Sequence, residues 1–221
     1  MNGSTTYRKP IGLLIPLLGM LLFVFFYFKA AFVYPGGSHF APTAEGFSFL
    51  NNYLCDLLDS TTLNGDPNPS KGLARIALFL LCSCLTVLWY YIPKLFKRKG
   101  IYLSVIRFTG ISAMIITLFL SSNSHDLVVY IAGLMGMLAM IITIVALFRE
   151  GYQELFALGV FCLAIFLLNF YIYESGILIT VLPAIQKITF VSFIGWFSLL
   201  DISLYRKMRK PKKIEQPRES P

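Results

Sequence analysis

Residues 11–33 read IGLLIPLLGMLLFVFFYFKAAFV, an apolar run whose only charge is Lys29. A transmembrane α-helix needs about 20 consecutive apolar residues to cross the hydrocarbon core of a bilayer. The apolar core of a cleavable signal peptide is shorter, about 7–15 residues, and is followed by a small-residue cleavage site. The run therefore predicts a first membrane-spanning helix that the protein retains.

The composition of the whole chain also indicates a membrane protein. Of its 221 residues, 57% are hydrophobic and 14% are charged, and the mean hydropathy is +0.71. Soluble domains carry about 25% charged residues, so this composition excludes an ordinary water-soluble domain. Counting the first, six apolar runs are long enough to cross a membrane: 11–33, 73–92, 101–121, 127–148, 155–173 and 183–205.

These runs predict an all-α, polytopic membrane protein with six transmembrane helices. The short connectors and the lack of internal repeats indicate one domain over residues 1–210. Pro183 suits the first turn of the sixth helix and separates the apolar segment 177–182 from it. Residues 211–221 (PKKIEQPRESP) are polar and basic, and this tail is predicted to be disordered and cytoplasmic.

The placement of lysine and arginine predicts the orientation, because cytoplasmic loops of membrane proteins carry an excess of both. If both termini are cytoplasmic, the cytoplasmic segments hold Arg8, Lys9, the basic loop 94–99, Arg149 and the basic residues from Arg206 onward. The net charge of +8 then reflects topology. Membrane lipids are therefore the expected partners, and no nucleic-acid partner is expected.

The four cysteines are too few and too scattered to indicate a disulfide framework. Together with the short connectors, they favour a bacterial inner (plasma) membrane. The sequence leaves the source and the oligomeric state open.

One polar stretch interrupts the apolar chain between the first two runs. Residues 34–71, which we call the lid, read YPGGSHFAPTAEGFSFLNNYLCDLLDSTTLNGDPNPSK. Turn signals flank its centre at Pro35-Gly36-Gly37 and Asp66-Pro67-Asn68-Pro69. Phe47, Leu50, Tyr53/Leu54 and Leu57/Leu58 recur at helical spacing. The sequence therefore predicts a folded outer loop that contains a short amphipathic helix, with Ser70 as the N-cap of the second helix.

Polar side chains from several segments are expected to meet under this lid at the outer membrane face. The lid supplies amides and carboxylates, and the outer ends of the later helices supply further charged and polar groups. The candidate outer polar site comprises Asn52, Asp56, Arg75, His125, Asp126, Glu174, Gln186 and Lys187.

Two charges fall inside predicted spans, where an unpaired charge costs several kcal/mol. Arg107 lies about 9 Å into the third span at the helical rise. Asp201 lies at a similar depth in the sixth span. The sequence therefore predicts an intramembrane Arg107–Asp201 ion pair that holds the two helices together.

Two functions fit this arrangement. The first is a non-enzymatic protein whose lidded outer-leaflet pocket binds a lipid or a small polar ligand, or docks a partner. The second is a metal-dependent membrane hydrolase that acts on a lipid headgroup. The metal ligands that it could use are His125, Asp126 and Asp56, with His39 as a further candidate.

The sequence carries no strong motif for catalysis. It has two histidines and no HxxxH or HExxH pair, so no metal or other cofactor is expected. A serine nucleophile among Ser121, Ser122 and Ser124 has no GxSxG motif to support it. Transport ranks last, because no inverted repeat or mid-membrane helix break is present. Whether the chain is an enzyme stays open.

The lid and the outer hairpin carry a family resemblance. The run YPGGS…GFSFLNNYLCDLL…NG…NPS resembles a pattern of small, mostly bacterial six-helix membrane proteins, a group similar to the damage-regulated autophagy modulator family. The matching residues are Asn52, Cys55, Asp56, Asn64 and Asn68-Pro69, and the hairpin Ser124-His125-Asp126 resembles a His-bearing hairpin of the same group. The resemblance implies a six-helix fold but no assigned chemistry.

Overall fold

The structure is a computed structural model that describes residues 11–120 and 125–209, without the side chains of Ile11 and His125. Of the described residues, 75% are helical, and five of the helices among them are long and apolar enough to cross a membrane, which confirms a helical integral membrane protein. The predicted tail 211–221 lies outside the described residues. The α-helices in the described ranges are α1 Ile15–Phe32, α2 Lys71–Tyr91, α3 Ile101–Thr117, α4 His125–Arg149, α5 Gln153–Ser175 and α6 Leu182–Arg209.

Proline and glycine mark the helix ends as their backbone chemistry requires. Pro16 lies in the first turn of α1, where its missing N–H costs no helical hydrogen bond. Gly176 ends α5 in the left-handed conformation, at φ 68°. The predicted break before Pro183 is present as a 3-10 turn at Ile179–Val181, after which α6 begins at Leu182.

The helices pack as a ring in chain order, since each contacts the next and α6 also contacts α1. Aromatic side chains fill the centre. Trp89 of α2 meets Phe197 of α6 edge-on at 5.6 Å between ring centroids. The fully buried Trp196 donates from Nε1 to the Leu155 carbonyl of α5 at 2.9 Å. This core joins α6 to helices on both sides of the ring.

Glycines sit where helices approach most closely. A Cβ on Gly19 of α1 would lie 2.3 Å from the Cys84 Cβ of α2. A Cβ on Gly110 of α3 would lie 2.3 Å from the indole of Trp89. Both positions therefore let a neighbouring side chain rest on bare helix backbone.

At the opposite end from the lid, two contacts tie the connecting segments together. Glu150 Oε1 accepts backbone N–H groups from Lys97 and Arg98, at 2.9 and 3.0 Å. Lys207 Nζ of α6 donates to the Leu95 carbonyl at 2.5 Å. We call this the basic end of the bundle, after its loop 94–99.

The lid contains a small sheet that the all-α prediction did not include. Strands β1 Gly36–Ser38 and β2 Ala41–Glu45 pair antiparallel, with Gly36 opposite Glu45 and Ser38 opposite Ala41. Gly37 has φ 84°, and a Cβ there would lie 2.5 Å from the Asn64 backbone nitrogen. The hairpin therefore needs glycine at this position.

The prediction of an amphipathic helix within the lid is wrong, because only a 3-10 turn forms there, at Cys55–Leu58. The Ser48 N–H is bound by Asn52 Oδ1 at 2.9 Å, and the Asn51 N–H by Ser48 Oγ at 3.2 Å. The Tyr53 N–H is bound by Asp56 Oδ2 at 2.9 Å. A single helical backbone bond, from the Asn52 N–H to the Ser48 carbonyl at 2.9 Å, accompanies them, and the side-chain bonds hold the neighbouring backbone in turns.

A separate apolar cluster packs the lid onto the ends of α1 and α2. Tyr34, Leu57 and Leu58 are buried against Ala30 and Ala31 of α1 and Ala74 of α2. The alanines are small, so the lid backbone can approach both helices closely. The lid is thus a folded body with a fixed seat on α1 and α2.

Candidate functional site

Asn52 is the centre of the polar network inside the lid. Its side chain is 0% exposed and uses both ends of its amide. Nδ2 donates to the Gly37 carbonyl at 2.7 Å and to Asp56 Oδ2 at 2.9 Å, while Oδ1 accepts the Ser48 N–H. One side chain therefore joins β1, the turn at Ser48 that follows β2, and the 3-10 turn.

Asp56 is buried and accepts two hydrogen bonds, one from Asn52 and one from the Tyr53 N–H. Burial raises the pKa of this carboxyl, and the two hydrogen bonds oppose the rise. Burial also raises the pKa of the neighbouring Cys55 thiol to about 12, with the Asp56 charge as the second cause. Cys55 is therefore a protonated, weakly nucleophilic thiol at neutral pH.

Helix α6 holds the lid through two consecutive polar residues in its first turns. Gln186 Oε1 accepts the Leu54 N–H at 2.9 Å. Lys187 Nζ donates to the Asn52 carbonyl, and to the Pro183 carbonyl at 3.0 Å. The structure thus brings together four of the predicted site residues, namely Asn52, Asp56, Gln186 and Lys187, and we call these four the lid–α6 junction.

Asn68 belongs to the same network, although the predicted polar site did not include it. Its Nδ2 donates to the carbonyls of Asp56 and Asp59, at 3.1 and 2.9 Å, and its Oδ1 accepts the Ser70 N–H at 3.0 Å. Ser70 itself makes no side-chain cap for α2 and bonds to the Leu57 carbonyl instead. The signal for Asn68 was the Asn-Pro pair, since asparagine side chains commonly bind backbone groups two residues on.

Two further predicted residues lie in a different set of contacts, between α4 and α5. Asp126 Oδ1 accepts the Tyr173 hydroxyl at 3.2 Å, and the Tyr130 hydroxyl donates to Glu174. Both carboxylates are exposed. Tyr173 lies near Cys55 and Tyr53 of the lid, so the two sets lie at the same end of the bundle.

Of the two remaining predicted residues, Arg75 makes no hydrogen bond with either set in the described structure, and the side chain of His125 is not described. Arg75 is exposed on α2. His125 is the first residue of α4, and its side chain lies outside the described residues, as do Ser121, Ser122 and Ser124. The described members of the predicted pocket that make such contacts therefore fall into two groups, the lid–α6 junction and the two tyrosine–carboxylate pairs.

A metal site on the predicted ligands finds little support in these contacts. Asp56 and Asp126 bind different partners, Asn52 and Tyr173 respectively. His39 packs edge-on against the Phe40 ring at 5.2 Å. Among the described side chains, which do not include that of His125, no group of three His, Cys, Asp or Glu is placed to hold a metal ion.

The predicted Arg107–Asp201 ion pair does not form. Arg107 turns to α2, where Nε donates to the Tyr90 carbonyl at 3.2 Å and the guanidinium lies 4.8 Å from the Tyr90 ring centroid. Asp201 is 1% exposed and sits near the Leu17 backbone and Cys84. Equal depth along two helices did not suffice, because Arg107 lies on the outside of the ring and Asp201 points into it.

No protein-family model matches this chain, and no curated protein and no solved structure matches it either. The resemblance of the lid motif to the damage-regulated autophagy modulator family therefore stays a prediction.

Proposed function

We propose that all six helices cross the membrane, with both termini in the cytoplasm and the lid on the outer face. Helix α3 is the shortest, with 17 residues. Three successive backbone bonds, from the N–H groups of Leu118, Phe119 and Leu120 to carbonyls three residues earlier, extend it. At helical rises the extended segment is about 31 Å long, which matches a hydrocarbon core of about 30 Å.

On this arrangement, the chain is a non-enzymatic membrane protein that binds an outer-leaflet lipid headgroup, or a small polar molecule with an anionic group, at the lid–α6 junction. The observation that carries the proposal is the position of Lys187. It is half-buried between the lid and α6 and lies 5.5 Å from the Phe47 ring centroid. A partly desolvated ammonium attracts an anionic group more strongly than one in water.

Lys187 retains binding capacity after its contacts within the protein. An ammonium group has three N–H donors, and Lys187 directs two of them at the Asn52 and Pro183 carbonyls within the described structure. Neutral carbonyls do not neutralise its charge, and the nearby Asp56 carboxylate attracts it without forming a salt bridge with it. The third donor and the net charge suit a phosphate or carboxylate oxygen.

Apolar lid residues beside the junction suit contact with lipid chains. Phe49 and Leu50 are 45% and 68% exposed. The Phe49 ring lies 5.7 Å from that of Phe28, which belongs to the α1 span. The lid therefore meets the bilayer along this edge, where a headgroup bound at Lys187 would have its acyl chains.

The contacts of Asp56 also favour a non-enzymatic role over the alternative metal-dependent hydrolase. A metal ligand or general base needs its lone pairs directed at the metal or the substrate. Asp56 instead uses Oδ2 for two bonds that shape the lid. A structural role explains why this carboxyl is buried.

Native mass spectrometry of gently extracted protein, with metal analysis of the same sample, tests the proposal. We expect a co-purified lipid or small anionic ligand on the wild type, and its loss in Lys187→Met. Lys71→Met is the matched control, since Lys71 is a lid lysine that donates to Ser60 Oγ on the exposed surface. Equal ligand occupancy in both variants would contradict the proposal, and a stoichiometric metal with headgroup hydrolysis would establish the hydrolase instead.

A further inference from the structure

A surface cavity lies away from the lid, along α3. It has a volume of about 340 Å³ and is lined by Ser104, Arg107, Phe108, Ile111, Ser112 and Ile115. These residues recur at intervals of three and four, so they form one face of α3. We call this face the α3 groove. It begins near the basic end and runs about 17 Å along the helix, at 1.5 Å per residue.

The α3 groove combines one cation with an apolar floor. Phe108 and Ile115 are 70% and 49% exposed, and Ser104 is exposed as well. Among the described residues that line the groove, Arg107 alone is charged, and it lies nearer the basic end. A groove with a charge towards one end and mainly apolar side chains, with Ser112 among them, along the rest matches the outline of a lipid.

Contacts with α2 hold the Arg107 side chain in place. Its Nε donates to the Tyr90 carbonyl, one of the last four carbonyls of α2, which lack regular helical partners. The guanidinium also lies 4.8 Å from the Tyr90 ring centroid, within cation–π range. A guanidinium has five N–H donors. In the described structure only the Nε donor is used, so the outer two nitrogens are oriented and unoccupied.

We propose that the α3 groove binds an anionic phospholipid of the leaflet at the basic end. The outer nitrogens of Arg107 bind the headgroup phosphate as a two-point contact, a geometry that guanidinium groups favour. The acyl chains lie over Phe108, Ile111 and Ile115, and Ser104, which precedes Arg107 towards the basic end, faces the polar headgroup. The basic loop 94–99 at the same end adds attraction for a lipid with net negative charge.

This site is distinct from the lid–α6 junction, since it lies on α3 towards the other membrane face. It rests on one part of the proposed function, namely that α3 crosses the membrane. Treatment of Ser112→Cys with a membrane-impermeant maleimide in intact membranes tests that part separately. Modification of the introduced thiol would place α3 in water and overturn both the six-span arrangement and the α3 site.

The binding test uses the full chain in mild detergent, titrated with phosphatidylglycerol or phosphatidylcholine and observed by native mass spectrometry. We expect one tightly bound phosphatidylglycerol on the wild type and about tenfold weaker binding to Arg107→Gln, because two charge-assisted hydrogen bonds are lost. Arg149→Gln is the matched control, because Arg149 is an exposed arginine at the basic end of the bundle, where α4 ends. It should bind as the wild type does.

Two further measurements separate the contribution of the groove to lipid binding from that of the Arg107 charge. Ser112→Trp fills the groove and leaves Arg107 intact, so it should also weaken phosphatidylglycerol binding. Glycerol 3-phosphate, which has the phosphate without the chains, should not compete at equal concentration. Wild-type binding in Arg107→Gln, effective competition by glycerol 3-phosphate, or a second copy of the chain in place of the lipid would each overturn the proposal.

Discussion

At the scale of single residues, Asn52 shows why an amide and not a carboxylate stands at the centre of the lid. Its Nδ2 donates to a backbone carbonyl and to a carboxylate, and its Oδ1 accepts a backbone N–H. Aspartate has the same shape but no N–H to donate when ionised. The chemistry of the site therefore specifies asparagine at a position where the fold could hold either side chain.

We predict that Asn52→Asp destabilises the lid by about 2–4 kcal/mol, because two carboxylates would meet in a buried space and the Gly37 carbonyl would lose its donor. Hydrogen exchange of the amides of residues 36–58 in detergent or nanodiscs measures the effect. Asn51→Asp is the control, since the Asn51 side chain is partly exposed and lies outside the network. Equal exchange in both variants would show that the Asn52 contacts do not stabilise the lid.

Asp56 gives the lid a predictable response to pH. Burial raises its folded-state pKa above the ordinary value of 3.8, so the folded lid holds this proton more tightly than the unfolded lid does. Its contribution to stability is then fully present below pH 3.8 and is lost as the pH rises through the folded-state pKa. We predict that the stability of the wild type relative to Asp56→Asn falls as the pH rises above 3.8 and through the folded-state pKa of Asp56.

Thermal melting of both proteins across this range checks the sign, with Asp66→Asn, an exposed lid aspartate, as the control. A wild-type advantage that grows with pH would mean that hydrogen bonding to the ionised Asp56 outweighs its burial.

At the scale of elements, the sequence located the helices well and the lid poorly, for a physical reason. The fifth and sixth predicted runs, 155–173 and 183–205, fall within α5 and α6, since long apolar runs have few alternatives in a bilayer. The lid has water as an alternative partner, so its structure depends on individual bonds from Ser48, Asn52 and Asp56. Helical spacing of apolar residues could not reveal those bonds. The same holds for Arg107 and Asp201. The sequence predicted how deep each residue lies along its helix, but not which side of the helix ring its side chain faces.

Helix packing gives a prediction at this scale. Gly110→Ala should destabilise the bundle by about 1–3 kcal/mol, because the added Cβ would overlap the buried Trp89 indole. Gly195→Ala in α6 is the control, since its Cβ would meet nothing within 4 Å. There the higher helix propensity of alanine should leave stability unchanged or slightly increased. Thermal unfolding in detergent measures both, and equal melting temperatures would refute the close α2–α3 contact.

At the scale of the whole molecule, the number of crossings decides where the termini lie. Six spans place both termini on one side, together with the basic loop 94–99, whereas five spans would separate them. We predict that reporter fusions at the two termini give the same cytoplasmic signal. A cysteine introduced in place of Ser60 of the lid should be modified by an impermeant reagent from the opposite side. Termini on different sides would show that α3 does not cross.

The bonds between the lid and α6 have a consequence for the order of synthesis. Leu54 and Gln186 are 132 residues apart, and Asn52 and Lys187 are 135 apart. The ribosome releases the lid long before it makes α6. Until α6 is inserted, the Leu54 N–H and the Asn52 carbonyl have only water as partner. The lid is therefore among the last parts of the molecule to reach its final contacts, and its resistance to an externally added protease would report that membrane insertion is complete.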